Sequence, residues 1–286
     1  MTYNELWRLL TQIYDDYEAK AIARMVYEVR FGLTPSDLFI GKDTQLSTDD
    51  QKLFAEITQR LLTGEPVQYA IGLAEFGNRT FHVEPGVLIP RPETYELCRW
   101  IMVDGRWKME NGRNVSILDI GTGSGCIACT LAAEIPDSEV TAWDISDDAL
   151  RIAAENAKRA NVHVSFEKVD ILNTPLYYRE GLGVGLDIIV SNPPYICNKE
   201  RATMERNVLG HEPETALFVP DDNPLLFYRA IARYAAKALK PGGTLYFEIN
   251  PLYVSEMQQM LSDEGFSHTE VRNDQFGKQR FTKSWR

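Results

Sequence analysis

The chain has 286 residues, of which 44% are hydrophobic and 25% charged, and a formal net charge of −11. Such a composition is ordinary for a folded globular protein, and a chain this long suits two domains better than one. The acidic balance argues against non-specific binding along a phosphate backbone, which needs clustered Lys and Arg.

The first residues, MTYNELWRLL, lack a basic stretch followed by an apolar core, so they do not read as a signal peptide. No apolar run approaches the roughly 20 residues that span a bilayer, and a cytoplasmic protein is expected. Residues 1–72 read as a small helical domain. Leu6, Trp7, Leu9, Leu10, Ile13 and Tyr14 recur at helical spacing, as do Ile22, Met25, Val26 and Val29. Gly32 and Pro35 break the chain, and Thr48 with Gln51 resembles a capping box opening a helix that runs through Leu62 to Gly64. Residues 73–90 are expected to link two domains through a hairpin, because apolar residues alternate around Gly77-Asn78. RPET (91–94) then opens a helix with Pro92 in its first turn.

Residues 91–286 form the second expected domain. VSILDI, EVTAWDI, HVSFEKVD, LDIIVSN and GTLYFEI are strand-like, and helical patterns follow all but the third. Strands alternating with helices predict a parallel sheet covered on both faces. The tail reads as two strands around Gly277, one of them antiparallel. Cys126 and Cys129 form CIAC, but no second pair lies nearby and the four histidines are scattered. In the apolar start of a helix, cysteine behaves as a small hydrophobe; no metal is expected.

Three motifs carry chemistry. Gly121-Thr122-Gly123-Ser124-Gly125 follows the first strand of the second domain, where glycines allow a tight turn and close approach of a ligand. The spacing is G-x-G-x-G, unlike the dinucleotide pattern. Asp144 ends the second strand, where a carboxylate accepts hydrogen bonds from ribose hydroxyls, while Ser146 or Asp147 can cap the following helix. Asp119 beside the loop suits a cationic ligand better than a phosphate. S-adenosylmethionine fits: it has a ribose, an ammonium, a sulfonium and no phosphate. Asp170, ending the third strand, can accept from an adenine amino group or cap a turn.

The third motif is NPPY (192–195), at the end of the fourth strand. Ligands of open α/β sheets bind at that carboxyl edge. Two prolines make a stiff corner with no N–H donors. The Asn192 side-chain carbonyl and the Pro193 backbone carbonyl can accept both hydrogens of a planar NH₂ group, with Pro194 shaping the corner and Tyr195 packing on the group's face. Acceptors that turn the nitrogen lone pair toward a sulfonium favour in-line methyl transfer.

With EPVQYAIG (65–72), GVLIPRPET (86–94), LDIGTGSGCIA (118–128), DIIVSNPPYI (187–196), HEPETAL (211–217) and LKPGGTLYFEI (239–249), the chain closely resembles the PrmC/HemK family over nearly its whole length. The resemblance implies a class I S-adenosylmethionine-dependent methyltransferase: an α/β, Rossmann-like domain with a mostly parallel seven-stranded sheet behind a small N-terminal α-helical domain. It implies methylation of the side-chain amide of the glutamine in the GGQ motif of peptide-chain release factors. Cofactor contacts are implied at Gly121 to Gly125, Asp144 and Asn192, substrate contacts at Asn192 through Tyr195, and support of the closed site at Arg91 and Glu93. Release factors are the expected partners of a monomer that binds neither membrane nor, stably, nucleic acid. Tyr95, EIN (248–250) and FVPDDNP (218–224) depart from the family pattern, and the departures are expected to leave the corner untouched. An adenine-N6 methyltransferase is the alternative, since a flipped base presents a similar NH₂. A non-catalytic protein that only docks on release factors is the other; cofactor binding separates it.

Overall fold

The computed structural model describes residues 1–105, 114–174, 185–204 and 206–286. The chain divides into two compact units: Met1–Ala74 with Val83–Pro85 and Glu205–His211, and Glu75–His82 with Gly86–Met204 and Glu212–Arg286. These limits differ from the expected breaks at 72/73 and 90/91, since most of the hairpin groups with the sheet unit.

The first unit contains α1 (Tyr3–Leu10), α2 (Asp16–Met25), α3 (Pro35–Phe39), α4 (Thr48–Leu62) and α5 (Val67–Ile71). Thr2 and Glu5 form a capping box on α1, and Leu6 and Leu10 turn inward. Ile13 lies beyond this helix and is exposed, so the helical pattern stops earlier than its spacing predicts. One π turn, Val26–Arg30, extends α2 and keeps Val26 and Tyr27 buried against Phe54. The cap of α4 is Ser47, whose hydroxyl accepts from Asp50 N, one residue before the expected Thr48. Gln51 instead donates to Leu46 O. Leu6, Leu10, Ala23, Ile57 and Leu61 complete a core belonging to this unit alone.

Strands β1 (Leu73–Phe76) and β2 (Arg79–His82) form the expected hairpin. Gly77 turns it with φ +63°, and a Cβ there would fall 2.2 Å from the Tyr95 ring. Tyr95 lies on α6 (Pro92–Asp104), which Arg91 and Pro92 open, and its ring meets Phe76 edge-on at 5.3 Å.

The sheet unit holds β3 (Val115–Ile120), α7 (Cys126–Glu134), β4 (Ser138–Asp144), α8 (Asp147–Ala160), β5 (Val164–Lys168) and β6 (Leu186–Ser191). A short parallel pair follows, β7 (Ile196–Cys197) and β8 (Phe218–Val219); α9 (Arg206–His211), between them in sequence, groups with the first unit. Then come α10 (Leu226–Ala238), β9 (Leu239–Glu248), α11 (Val254–Asp263), β10 (His268–Asn273) and β11 (Gln279–Trp285). The seven-stranded sheet runs β10-β11-β9-β6-β3-β4-β5. Strands β9, β6, β3, β4 and β5 pair in parallel, and β11 runs antiparallel to both neighbours. Every residue of β3 and β6 is buried, as a sheet covered on both faces requires. Cys98, Cys126 and Cys129 pack on one face, and burial pushes the Cys126 and Cys129 thiols up to about 12; packing is what they do. Among the described residues, no helix is long and apolar enough to cross a membrane.

The strand order reverses at β3, with β4 on one side and β6 on the other. Loops leaving the carboxyl ends of β3 and β6 turn to opposite faces there, which opens a crevice.

Candidate active site

One cavity of about 420 Å³ lies at that crevice and is lined by residues of both motif groups. Gly121, Thr122, Gly123 and Ser124 line it from the loop, Asp144 and Asp170 from the ends of the next two strands, and Asn192, Pro193 and Pro194 from the corner. The loop turns through three left-handed glycines: Gly121 and Gly123 face open space, whereas a Cβ on Gly125 would meet Ala153 of α8 at 2.9 Å. Gly125 therefore lets α7 and α8 pack, and the first two leave room above the backbone.

Asp144 accepts from Gly123 N and from Ser146 N, each at 2.9 Å, so its carboxylate ties the loop to the end of β4. Ser146, accepting from Ala149 N, caps α8. Each Asp144 oxygen keeps acceptor capacity for a ligand, and burial pushes its carboxyl above the usual range against the pull of these N–H groups. Asp170 accepts from Leu172 N at 2.9 Å and from the Asn173 side chain at 2.6 Å, a turn-capping arrangement on the cavity wall. Asp119 is fully buried; its Oδ2 accepts from the Thr122 hydroxyl at 2.7 Å, and Oδ1 has no hydrogen-bond partner. Burial pushes this carboxyl up to about 7.

The corner is placed by the strand register. Ser191 sits opposite Ile120 and donates to its carbonyl at 2.6 Å, pinning the end of β6 to the end of β3. Asn192 Nδ2 donates to Thr94 Oγ1 at 3.1 Å, and Thr94 Oγ1 donates to Glu248 Oε2 at 2.7 Å. Tyr195 is not among the cavity-lining residues. Its hydroxyl donates to Glu248 Oε1 at 3.2 Å, and its ring packs with the core on the α10 face. Asn250, one of the departures from the family pattern, does touch the corner: its Nδ2 donates to Tyr195 O and to Glu200 Oε1, both at 3.1 Å. The expectation that the departures leave the corner untouched is corrected by these bonds.

Arg91 pairs with Glu212, whose carboxylate also accepts from Ile89 N at 3.1 Å. This ion pair joins the IPRPET and HEPETAL motifs at the cavity wall, where Pro213, Thr215, Ala216 and Phe218 continue the lining. Thr94, Glu248 and Glu212 escaped the sequence reading. All three lie inside quoted motifs, yet no motif says which residue each side chain meets. The apolar lining of Val169, Ile171, Phe227 and Ile231 carries only ordinary core patterning.

Residues 107–212 match the family described as Methyltransferase small domain, and residues 5–72 match the PrmC N-terminal domain. A release factor glutamine methyltransferase of Bacteroides thetaiotaomicron is 45% identical, the match covering 95% of this chain and 94% of that protein. This chain belongs to the release factor glutamine methyltransferase family. Another member, from Flavobacterium psychrophilum, is 39% identical over 96% of this chain and 94% of its own length. Among solved structures, the N-terminal domain of human METTL16 in complex with SAH is similar in fold, with a TM-score of 0.52 at 17% identity, covering 72% of this chain and 75% of that one. The class I methyltransferase architecture follows from the sheet order and this likeness together. These relatives do not favour the adenine-N6 alternative.

Proposed function

We propose that this chain transfers a methyl group from S-adenosylmethionine to the side-chain amide nitrogen (N5) of the glutamine in the GGQ motif of a peptide-chain release factor. The observation that carries the reading is the shared cavity: acceptors of an Asn-Pro-Pro corner line the same space as a glycine loop and a ribose-type carboxylate.

The residues present fit the cofactor. Nothing stands where a side chain on Gly121 or Gly123 would be, and Asp144 lines the same cavity with acceptor capacity left for ribose hydroxyls. Gly121 to Ser124, Asp144 and Asp170 would hold the nucleoside end, with Asn192 on the same cavity wall; Gly125, expected to touch the cofactor, serves helix packing instead. Bound S-adenosylmethionine supplies an electrophilic methyl group on a positively charged sulfur. The corner's work is to hold an amide that is a poor nucleophile in its free state. Asn192 Oδ1 and the Pro193 carbonyl accept its two hydrogens, and Pro194 keeps the backbone stiff. Tyr195, expected to pack on the face of the amide, is turned into the core instead and supports the corner from behind through Glu248. Weak acceptors suffice, because an amide nitrogen becomes strongly acidic as it is alkylated.

Asp144→Ala is expected to weaken S-adenosylmethionine binding by roughly 1.5–3 kcal/mol, the scale of a lost charge-assisted hydrogen bond. Calorimetry that finds undiminished affinity places the ribose elsewhere.

The N-terminal helical unit contributes none of the cavity lining, and we assign it to recognition of the release factor, since one glutamine side chain offers little contact area. A substrate that works at the ribosome places the reaction in the cytoplasm, and one chain carries all the motifs the reaction needs. The deciding experiment incubates the protein with tritiated S-adenosylmethionine and release factor, a short GGQ peptide, DNA or ribosomal RNA. Label should enter the glutamine of intact release factor, far less the peptide, and neither nucleic acid. Label in DNA or RNA with none in release factor overturns the reading.

A further inference from the structure

An asparagine carboxamide has two ends of nearly equal shape and opposite hydrogen-bonding sense. As an acceptor, Asn192 must turn its oxygen to the substrate. A half-turn about its last bond would set its NH₂ against the substrate's NH₂, two donors with no acceptor between them. Something must choose between these orientations.

The choice is visible in the bonds behind Asn192. The Thr94 hydroxyl has one hydrogen, and at 2.7 Å from Glu248 Oε2 that hydrogen is committed. Its oxygen is left as an acceptor, and Asn192 Nδ2 fills it at 3.1 Å. An ionised carboxylate has no proton to give, so the sense of this chain of bonds is set at Glu248. Tyr195 donates to the other carboxylate oxygen, consistent with an acceptor-only group. Glu248 is 2% exposed, and burying a carboxylate whose hydrogen bonds come from neutral hydroxyls is expensive.

We propose that Thr94 and Glu248 are positioning residues for methyl transfer, forming with Asn192 a buried relay that keeps the Asn192 carbonyl oxygen turned toward the substrate amide. This rests on the reading of Asn192 as the amide acceptor. Protonated Glu248 becomes a donor to Thr94, and the Thr94 hydroxyl is then free to donate to Asn192 Oδ1, which reverses the relay. Burial raises the Glu248 carboxyl to about 7, with Thr94, Arg280 of β11 and Tyr195 pulling it down and Glu93 of α6 pushing it up. Cys98 of α6 and Tyr228 of α10 also face it, both held neutral by burial, and Arg280 is itself bound to Asp274 at 3.2 Å. The relay therefore reverses as pH falls through about 7.

The test measures single-turnover methylation of release factor across about pH 6 to about pH 8.5, beside S-adenosylmethionine affinity. It compares Thr94→Val, Thr94→Ser, Glu248→Gln and Asn192→Ala with wild type. Thr94→Val should lower the saturating single-turnover rate constant by about 10- to 100-fold, the cost of a misoriented reacting group, with the half-saturating release-factor concentration and cofactor affinity close to wild type. Thr94→Ser, which keeps the hydroxyl, should restore most of the rate. Wild type should lose activity below about pH 7, and Glu248→Gln, with nothing to titrate, should lack that limb. A Thr94→Val enzyme with wild-type rate and pH profile overturns the relay, as does a Glu248→Gln enzyme that keeps the acid limb. If Thr94→Val does not fold, the Glu248→Gln profile decides. An inactive wild type, or an Asn192→Ala enzyme as fast as wild type, instead fails the proposed function and takes the relay with it.

Discussion

Asn192→Ala should bind S-adenosylmethionine nearly as well as wild type and methylate release factor about 100- to 1,000-fold more slowly, the usual cost of one oriented polar group at a reacting centre. Asn192 is only partly buried, and the glycine loop and Asp144 are tied to each other through their own bonds, so the loss falls on turnover. Truncation removes the oxygen that orients the substrate nitrogen and leaves the Thr94 oxygen without its donor. Rapid-quench kinetics with saturating cofactor reads the effect. Unchanged turnover sinks the assignment of Asn192 to the reacting amide.

The protein without ligand should become more stable as pH is lowered from about 8 to about 5. Two fully buried carboxyls, Asp119 and Glu248, are each pushed up to about 7 by burial. A carboxyl raised in the folded state contributes stability that is complete below its unfolded value and lost as pH rises through its folded value. At about 1.4 kcal/mol for each tenfold displacement of an ionisation equilibrium, each group accounts for on the order of 3 kcal/mol. Groups displaced the opposite way, such as Asp37 at about 2, lose their contribution only at far lower pH. The midpoint of thermal unfolding should therefore fall from pH 5 toward pH 8 in low salt. Asp119→Asn keeps an acceptor for the Thr122 hydroxyl and should flatten the slope. A midpoint independent of pH over this interval means that neither carboxyl is held protonated.

Local patterns carried a large part of this protein's description, because they report constraints met within a few residues. Alternating strands and helices, three glycines after a strand, Asp144 at a strand end and two prolines behind Asn192 each state a backbone requirement that needs no distant partner. The helix opened by Pro92 and the hairpin at Gly77 are of the same kind. Where neighbours compete for one local role, the sequence was less decisive: Ser47 took the cap expected of Thr48, and the helical periodicity of the first segment outran α1. The tertiary structure decided what depends on residues far apart in the chain. Thr94, Asn192 and Glu248 meet only because α6, β6 and β9 converge, and hydrogen-bond sense along that line is a property of the assembled pair of bonds. Nothing in VSNPPYI says that Tyr195 turns its hydroxyl to a carboxylate behind the corner. Nor does FEIN say that Asn250 reaches the Tyr195 carbonyl. Desolvation, which raises Asp119 and Glu248, likewise exists only once the sheet is covered, so a charge that looks ordinary in the sequence becomes a titrating group in the fold.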